Sequence, residues 1–437
     1  MNERVAPTFL ERFGLHRPEL RAWAMYDWAN SAFYLVIVTA VFPIFFQQVA
    51  ASGLDQETAT FRFSIATALA LGLVAVTAPI LGALADFLAW RKRLMMGFVL
   101  LGVLATACMF FIQQDQWVLA AVLFSIGNFA VATSFVFYDS FLPHIAKGDE
   151  MDRVSTAGYA LGYLGSGLLL VGFLPGIQEN FAAASRYAFV GVAVWWGVFS
   201  LPLFRWVPEP PREIEADERD ASSAIRVSLQ RLKETFKEIK SYRQAFLTLL
   251  AMLIYNDGIG TIVRMAGIYA ASREIPQKHI VSAILLVQFV GIPFAFLFGA
   301  LAGKIGAKRS ILIALFVFTL VCVVSYYLET TAEFYIIAIM VGAVQGGAQA
   351  LSRSLFASMI PKHKAAEFFG FFSVFEKFAG LFGPLLFGWM ILVTGSTRGA
   401  ILSVIAFFVI GGTILAFVDV EEGRRQARAM DEKLLAG

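Results

Sequence analysis

Charge is scarce in this chain. Only 15% of its 437 residues are Asp, Glu, Lys or Arg, against about 25% in an average soluble domain. With 58% hydrophobic residues and a mean hydropathy of +0.71, too little polar surface is available to coat a water-soluble particle of this size. Lipid is the expected solvent. Cysteine is nearly absent, and Cys108 and Cys322 both sit inside apolar runs, which argues for buried packing and against a disulfide framework. The four histidines, His16, His144, His279 and His363, show no ligand-like spacing, so neither a metal nor a cofactor is expected. No Gly-x-x-x-x-Gly-Lys phosphate loop occurs, which disfavours a nucleotide-driven pump. No His/Asp/Glu cluster or serine–lysine pair points to catalysis, so the chain is not read as an enzyme. A net charge of +3 gives no reason to expect a nucleic-acid partner. The first twenty residues lack the apolar core and cleavage site of a signal peptide, leaving the first span as the insertion signal.

What is present repeats. Windows long enough to cross about 30 Å of hydrocarbon fall near 24–49, 61–86, 94–113, 117–138, 155–176 and 184–204, then 245–271, 280–303, 310–328, 333–356, 367–394 and 399–418. Gly82-Ala83-Leu84-Ala85-Asp86 before Arg91-Lys92-Arg93 is echoed 217 residues later by Gly299-Ala300-Leu301-Ala302-Gly303 before Lys308-Arg309. Leu142-Pro143, Gly162 and Gly165 recur 218 residues on as Ile360-Pro361, Gly380 and Gly383. Duplicated membrane halves are the mark of a secondary transporter whose site lies between the repeats. The expected fold is an all-α membrane protein of twelve transmembrane helices in two pseudo-symmetric six-helix bundles. Its segments are an N-terminal stretch (1–22), a first bundle (23–206), a linker (207–243), a second bundle (244–418) and a tail (419–437).

Lys and Arg crowd onto alternate loops: the N-terminus, the 87–93 turn, the 205–243 linker, the 304–309 turn and the tail. Intervening loops such as Gln113-Gln114-Asp115-Gln116 are nearly bare. By the positive-inside rule both termini face the cytoplasm, and a multi-pass protein of the cell membrane is expected. In the linker, Ile225, Leu229, Leu232, Phe236 and Ile239 follow helical spacing opposite Arg226, Lys233, Lys237 and Lys240. Such a helix lies on the membrane surface or touches the domain undersides.

Charge within hydrocarbon is costly, so intramembrane ionisable residues are candidates for function. Asp27, Asn30 and Tyr34 share one face of the first span. In the seventh, Asn256 and Asp257 lie near mid-membrane, and Arg264 projects seven residues on, as an ion-pair partner for Asp257. Gln345, Gln349 and Arg353 step by four along the tenth span. Glu376 and Lys377 are adjacent in the eleventh and diverge by about 100°, so one is expected to face a cavity and the other a neighbouring helix. Asp139 after Tyr138 reads as the end of the fourth span. The glycines at 158, 162, 165, 167 and 172, and Gly380, Gly383 and Pro384, read as packing and hinge positions. Asp27, Asp257 and Glu376 are candidate proton or cation sites, and Arg264, Arg353 and Lys377 are candidate partners for a solute carboxylate. Asp27, Asp257 and Arg264 are expected to meet in a wet gap between the bundles.

Gly82, Asp86 and Arg91, with Lys92 and Arg93 after the second of twelve spans, resemble the signature loop of the major facilitator superfamily. Trp90 departs from it where many members have glycine. Tyr26-Asp27-Trp28-Ala29-Asn30-Ser31-Ala32-Phe33, Tyr255-Asn256-Asp257-Gly258, Arg353-Ser354-Leu355-Phe356 and the run Ile360-Pro361 to Phe371 resemble the vacuole-effluxer-like family, whose fungal namesakes are autophagy-related amino-acid effluxers. The resemblance covers essentially the whole chain. It implies a gating role for the Gly82–Arg93 segment, alternating access, and a cavity lined by spans 1, 4, 7 and 10. The expected function is secondary active transport of a small polar solute, amino-acid-like and in the efflux direction, with a coupling proton or cation, by a monomer. The alternative is a membrane signalling or lipid-handling protein that keeps the carrier fold.

Overall fold

The computed structural model describes residues 8–148, 150–212, 224–237, 242–380 and 382–436. Among the described residues twelve helices are long and apolar enough to span a bilayer: Pro18–Ala50, Gln56–Leu88, Arg91–Phe111, Trp117–Ile145, Glu150–Ile177 and Phe181–Trp206 in the first half. Arg243–Gly267, Lys278–Ile305, Ala307–Tyr326, Thr331–Ala357, Lys362–Thr394 and Thr397–Ala416 form the second. Each half closes into a six-helix bundle, and the first and last described segments lie on one side, called here the termini face.

Local sequence explains where the helices begin and end. Asp55 caps the second span by accepting the Thr58 N–H (2.8 Å), and Ala89 ends it in a left-handed conformation. Thr330 and Glu333 form a reciprocal capping box at the tenth. The first span changes character after Ala32 and winds as a wider π-helix over Phe33–Val41 and again over Phe46–Ala50. The fourth does not end at Asp139. It runs on to Ile145, because that carboxylate has a buried partner from the other bundle and needs no water.

The eleventh span is broken into Ala365–Phe378 and Phe382–Thr394, around Gly380 at φ +104°. The sequence foreshadowed the break with Gly380, Gly383 and Pro384. In the linker, a helix over Ala224–Lys237 packs against the second span. Ile239 and Lys240 of the expected amphipathic pattern lie outside the described residues. A tail helix, Val420–Ala436, which the sequence reading missed, docks under the second bundle. There Asp431 accepts the Lys362 N–H (3.0 Å) and sits 3.0 Å from His363 Nδ1.

The two bundles meet along the termini-side halves of their spans. The second span packs on the eleventh and the fifth on the eighth. Close approach is possible only because glycines stand at the crossings. A Cβ on Gly82 would lie 2.1 Å from the Ala366 carbonyl oxygen, one on Gly370 would lie 2.6 Å from Pro79 Cα, and one on Gly299 would lie 2.2 Å from Thr156 Oγ1. Burial is lost toward the opposite face. In the eleventh span Ala365–Ser373 is buried throughout, whereas Glu376 and Phe378 are exposed. In the second span burial is concentrated between Val74 and Phe87, and most of the preceding helix is exposed or half-buried. The cross-bundle contacts of the second and eleventh spans thus lie on the termini side, and Tyr163 of the fifth span continues the seam against Gly291 and Gly346.

Candidate functional site

The closed end is held by one guanidinium. Arg353 of the tenth span donates from Nη2 to Asp27 of the first (3.0 Å) and from Nη1 to Asp139 of the fourth (3.2 Å). Its Nε donates to Ser155 Oγ (2.9 Å) and Nη2 also reaches the Ser155 carbonyl (3.1 Å). The rings of Trp23, Tyr138 and Tyr159 lie 4.7, 5.5 and 4.8 Å from its centre. All three charged groups are buried. Two carboxylates thus share one cation, with the acids in one bundle and the base in the other. Such an arrangement survives burial only when each donor is matched, and here every guanidinium nitrogen has an acceptor. Gly158 makes room for it, since a Cβ there would meet Asp27 Oδ2 at 2.3 Å. Alongside, Ser354 donates to Asp152 (2.5 Å) and Ser155 donates to the Ala350 carbonyl (2.7 Å), again across the bundles.

A second bridge lies nearer the surface. Asp86 pairs with Arg91 at 2.6 Å, and its two oxygens accept the Ala366 N–H (3.2 Å) and the Glu367 N–H (2.9 Å). It therefore caps the first turn of the eleventh span from the other bundle, where the helix dipole favours an anion. Arg91 also donates to the Lys362 carbonyl (3.3 Å) and lies 2.7 Å from His144 Nε2. The Lys92 N–H donates to Glu209 (2.8 Å), whose carboxyl burial pushes above its ordinary range, and Lys92 Nζ donates to the Val207 carbonyl (2.8 Å). Arg93 lies over the Trp90 ring, 5.5 Å from its centre. In the second copy Gly303 faces open space and offers no acid.

Beyond the closed end, Lys377 Nζ lies 3.5 Å from Glu376 Oε2 and 5.8 Å from the centre of the Tyr34 ring. The two side chains meet, yet they differ in surroundings: Lys377 is turned to Tyr34 of the first span and Glu376 is the more exposed. The Glu376 side chain is 44% exposed, against 14% for Lys377. Several buried polar atoms have no hydrogen-bond partner among the described residues, including Asn30 Oδ1, Asn256 Oδ1, Gln345 Oε1, Gln288 Oε1 and the Tyr163 hydroxyl. Gln349 is half-buried one turn from Arg353.

The expected Asp257–Arg264 pair is not made. Asp257 accepts the N–H groups of Phe382 (3.0 Å) and Gly383 (2.9 Å), and Arg264 donates to the Gly380 carbonyl (2.8 Å). Among the described residues no hydrogen bond or ion pair joins Asp257 to Arg264 or to Asp27. The broken helix exposes unpaired amides and carbonyls, and these compete better for the two charges than the charges do for each other. The expected meeting of Asp27, Asp257 and Arg264 is replaced by that of Asp27, Asp139 and Arg353. Sequence reasoning missed Ser155, Asp152 and Tyr163. The polar residues Asp152, Ser155 and Thr156 at the start of an otherwise apolar span were the available signal.

Comparison with known proteins agrees with this architecture. Residues 52–428 match the model of the family described as vacuole effluxer Atg22 like. The MFS-type transporter YxiO of Bacillus subtilis (strain 168) is 37% identical over 409 residues, covering 92% of this chain and 94% of that protein. Autophagy-related protein 22-1 of Phaeosphaeria nodorum is 24% identical over 520 residues, covering 94% and 92%. Among solved structures, the human organic anion transporter MFSD10 superposes with a TM-score of 0.67 at 11% identity over 94% of this chain and 100% of that one. The proton:xylose symporter XylE gives 0.68 at 12% identity over 97% and 99%. At such identities these two speak for the fold alone. This chain belongs to the vacuole effluxer Atg22-like family and is a multi-pass membrane transporter of the major facilitator fold.

Proposed function

We propose that the protein is a secondary carrier that exports a small zwitterionic or anionic solute of the amino-acid class by alternating access, with both termini in the cytoplasm of the producing cell. The observation that carries the reading is the placement of charge. Asp27, Asp139 and Asp86 of one bundle hold Arg353 and the first amides of the eleventh span of the other, all at one end. These contacts have to break for the bundles to part there, and once parted the groups meet water, which lowers the cost of separating them. In this reading the bundles part at the other end, so a rocking motion exchanges one opening for the other.

Glu376, Lys377 and Tyr34 are the solute contacts in this reading. Lys377 supplies a cation for a carboxylate, and Glu376 an acceptor for an ammonium. Arg353 is saturated by its own carboxylates in this conformer and becomes available only when the termini face opens. The unpartnered atoms of Asn30, Asn256 and Gln345 supply further hydrogen-bonding capacity for a hydrated polar solute. A signalling or lipid-handling protein on the same fold needs none of this pairing.

The test is counterflow in proteoliposomes with a labelled mixture of amino acids. Saturable exchange that is lost in Lys377→Gln, with folded protein retained, supports the reading. Absence of any saturable flux across amino acids, short peptides and organic acids overturns it.

A further inference from the structure

The break in the eleventh span divides a segment packed on both bundles from a segment packed on its own bundle alone. Its first half, Ala365–Phe378, is pressed on the second span through Gly82 and Gly370 and capped by Asp86. Its second half, Phe382–Thr394, packs on the seventh and twelfth spans of its own bundle. At the joint, Asp257, Thr261 and Arg264 of the seventh span stand at i, i+4 and i+7, on the helix face turned to the break. Asp257 takes the two amide groups that open the second half, and Arg264 takes the Gly380 carbonyl just after the first half ends. The fit leaves no slack. A Cβ on Gly383 would lie 1.7 Å from Thr261 Oγ1, and one on Gly380 would lie 1.9 Å from Arg264 Nη1.

The two charges therefore spend their hydrogen-bonding capacity on backbone, each at the helix end whose dipole suits it. Glu376 and Lys377 lie within a turn of that joint. When the termini face opens, the first half has to part from the second span or from the seventh and tenth, and following the second span bends the chain at Gly380. We propose that Asp257 and Arg264 are positioning residues: they form the bearing of a hinge in the eleventh span that sets the Glu376–Lys377 pair against Tyr34, and they do not bind the solute. The hinge itself stands on backbone contacts. Only its consequence for solute affinity rests on the solute-contact role proposed above for Glu376 and Lys377.

Hydrogen–deuterium exchange on the full-length protein in nanodiscs, read with acetylation of lysines by a soluble amine reagent, tests this without a solute. Asp257→Ala removes both acceptors from a site where each bond to a charged group is strong. Exchange at the Phe382 and Gly383 amides should rise about tenfold or more. Lys377 acetylation should rise several-fold relative to Lys278, while the matching peptide of the fifth span, residues 158–168, keeps its protection. Asp257→Asn retains one acceptor oxygen and should fall between, and it serves as the readout where the alanine variant does not fold. Unchanged exchange at 382–383, or unchanged Lys377 reactivity with raised exchange, overturns the hinge assignment. Lys377→Gln leaves the amide protection intact whether or not it stops solute flux, so failure of the solute site and failure of the hinge give different results.

Discussion

The two halves of the molecule keep the same packing but not the same charges. In the first, the Tyr26 hydroxyl pairs with Ser134 (2.6 Å). In the second, Tyr255 pairs with Ser352 (2.5 Å), three spans apart in each case and buried in both. Gly165 admits Trp28 in the first half, and its counterpart Gly383 admits Asp257 and Thr261 in the second. Yet the fifth span is continuous through Gly162 and Gly165, while the eleventh breaks at Gly380. The difference is what faces the glycines. Trp28 offers apolar surface to a complete helix, whereas Asp257 and Arg264 offer partners to freed amides and carbonyls and so stabilise an interruption. Among the described residues, the carboxylates that bridge the closed end, Asp27, Asp139, Asp152 and Asp86, all come from the first half. The second half answers with Arg353, a serine hydroxyl and a helix N-terminus. Duplication supplied two similar shapes, and asymmetric charge made them complementary.

Substitutions at four positions break or sharpen that contrast. Arg353→Ala leaves Asp27 and Asp139 buried without a cation, a loss of about 3–5 kcal/mol for uncompensated buried charge. Thermal unfolding of the purified protein should drop accordingly, and Arg353→Lys should recover little because one ammonium cannot reproduce the fork. Gly82→Val drives a side chain into the Ala366 carbonyl, so the termini face should no longer close. Labelling of cysteines placed along the termini-side half of the second span should become fast. Asp86→Asn weakens the cross-bundle cap by about 1 kcal/mol, shifting the same labelling rates by roughly fivefold. Gly303→Asp restores the acid to the second copy of the motif. Nothing stands within 4 Å of a Cβ there, so neither unfolding temperature nor labelling should change, within about 0.5 kcal/mol. A large effect would mean that the second copy has a facing partner after all.

The fold was legible because lipid forces every span to be a helix of known length, and because the 217-residue echo marks the halves. Asp86 and Arg91 were legible as a local pair, since their spacing of five puts them across one turn between helices. Their role as a cap on Ala366 and Glu367 was not, because a backbone amide leaves no residue signature. Asp27 and Arg353 were found as charges in hydrocarbon, but nothing in a single sequence joins positions 326 residues apart. Asp139 was misread for the same reason: with its partner invisible, a carboxylate after an apolar run reads as a helix end. Asp257 and Arg264 failed in the opposite way. Seven-residue spacing suggested a mutual pair, whereas both had closer partners in a break that the glycines and Pro384 only hinted at.

Whether the Asp27–Arg353–Asp139 cluster holds the bundles together is tested most directly by a distance across the termini face. Spin labels on cysteines placed at Lys147 and Lys304, in a chain free of Cys108 and Cys322, report it by electron double resonance. A single short distance in the otherwise native protein, joined by a longer population in Arg353→Ala, is the predicted result. An identical distribution in both proteins would contradict the account.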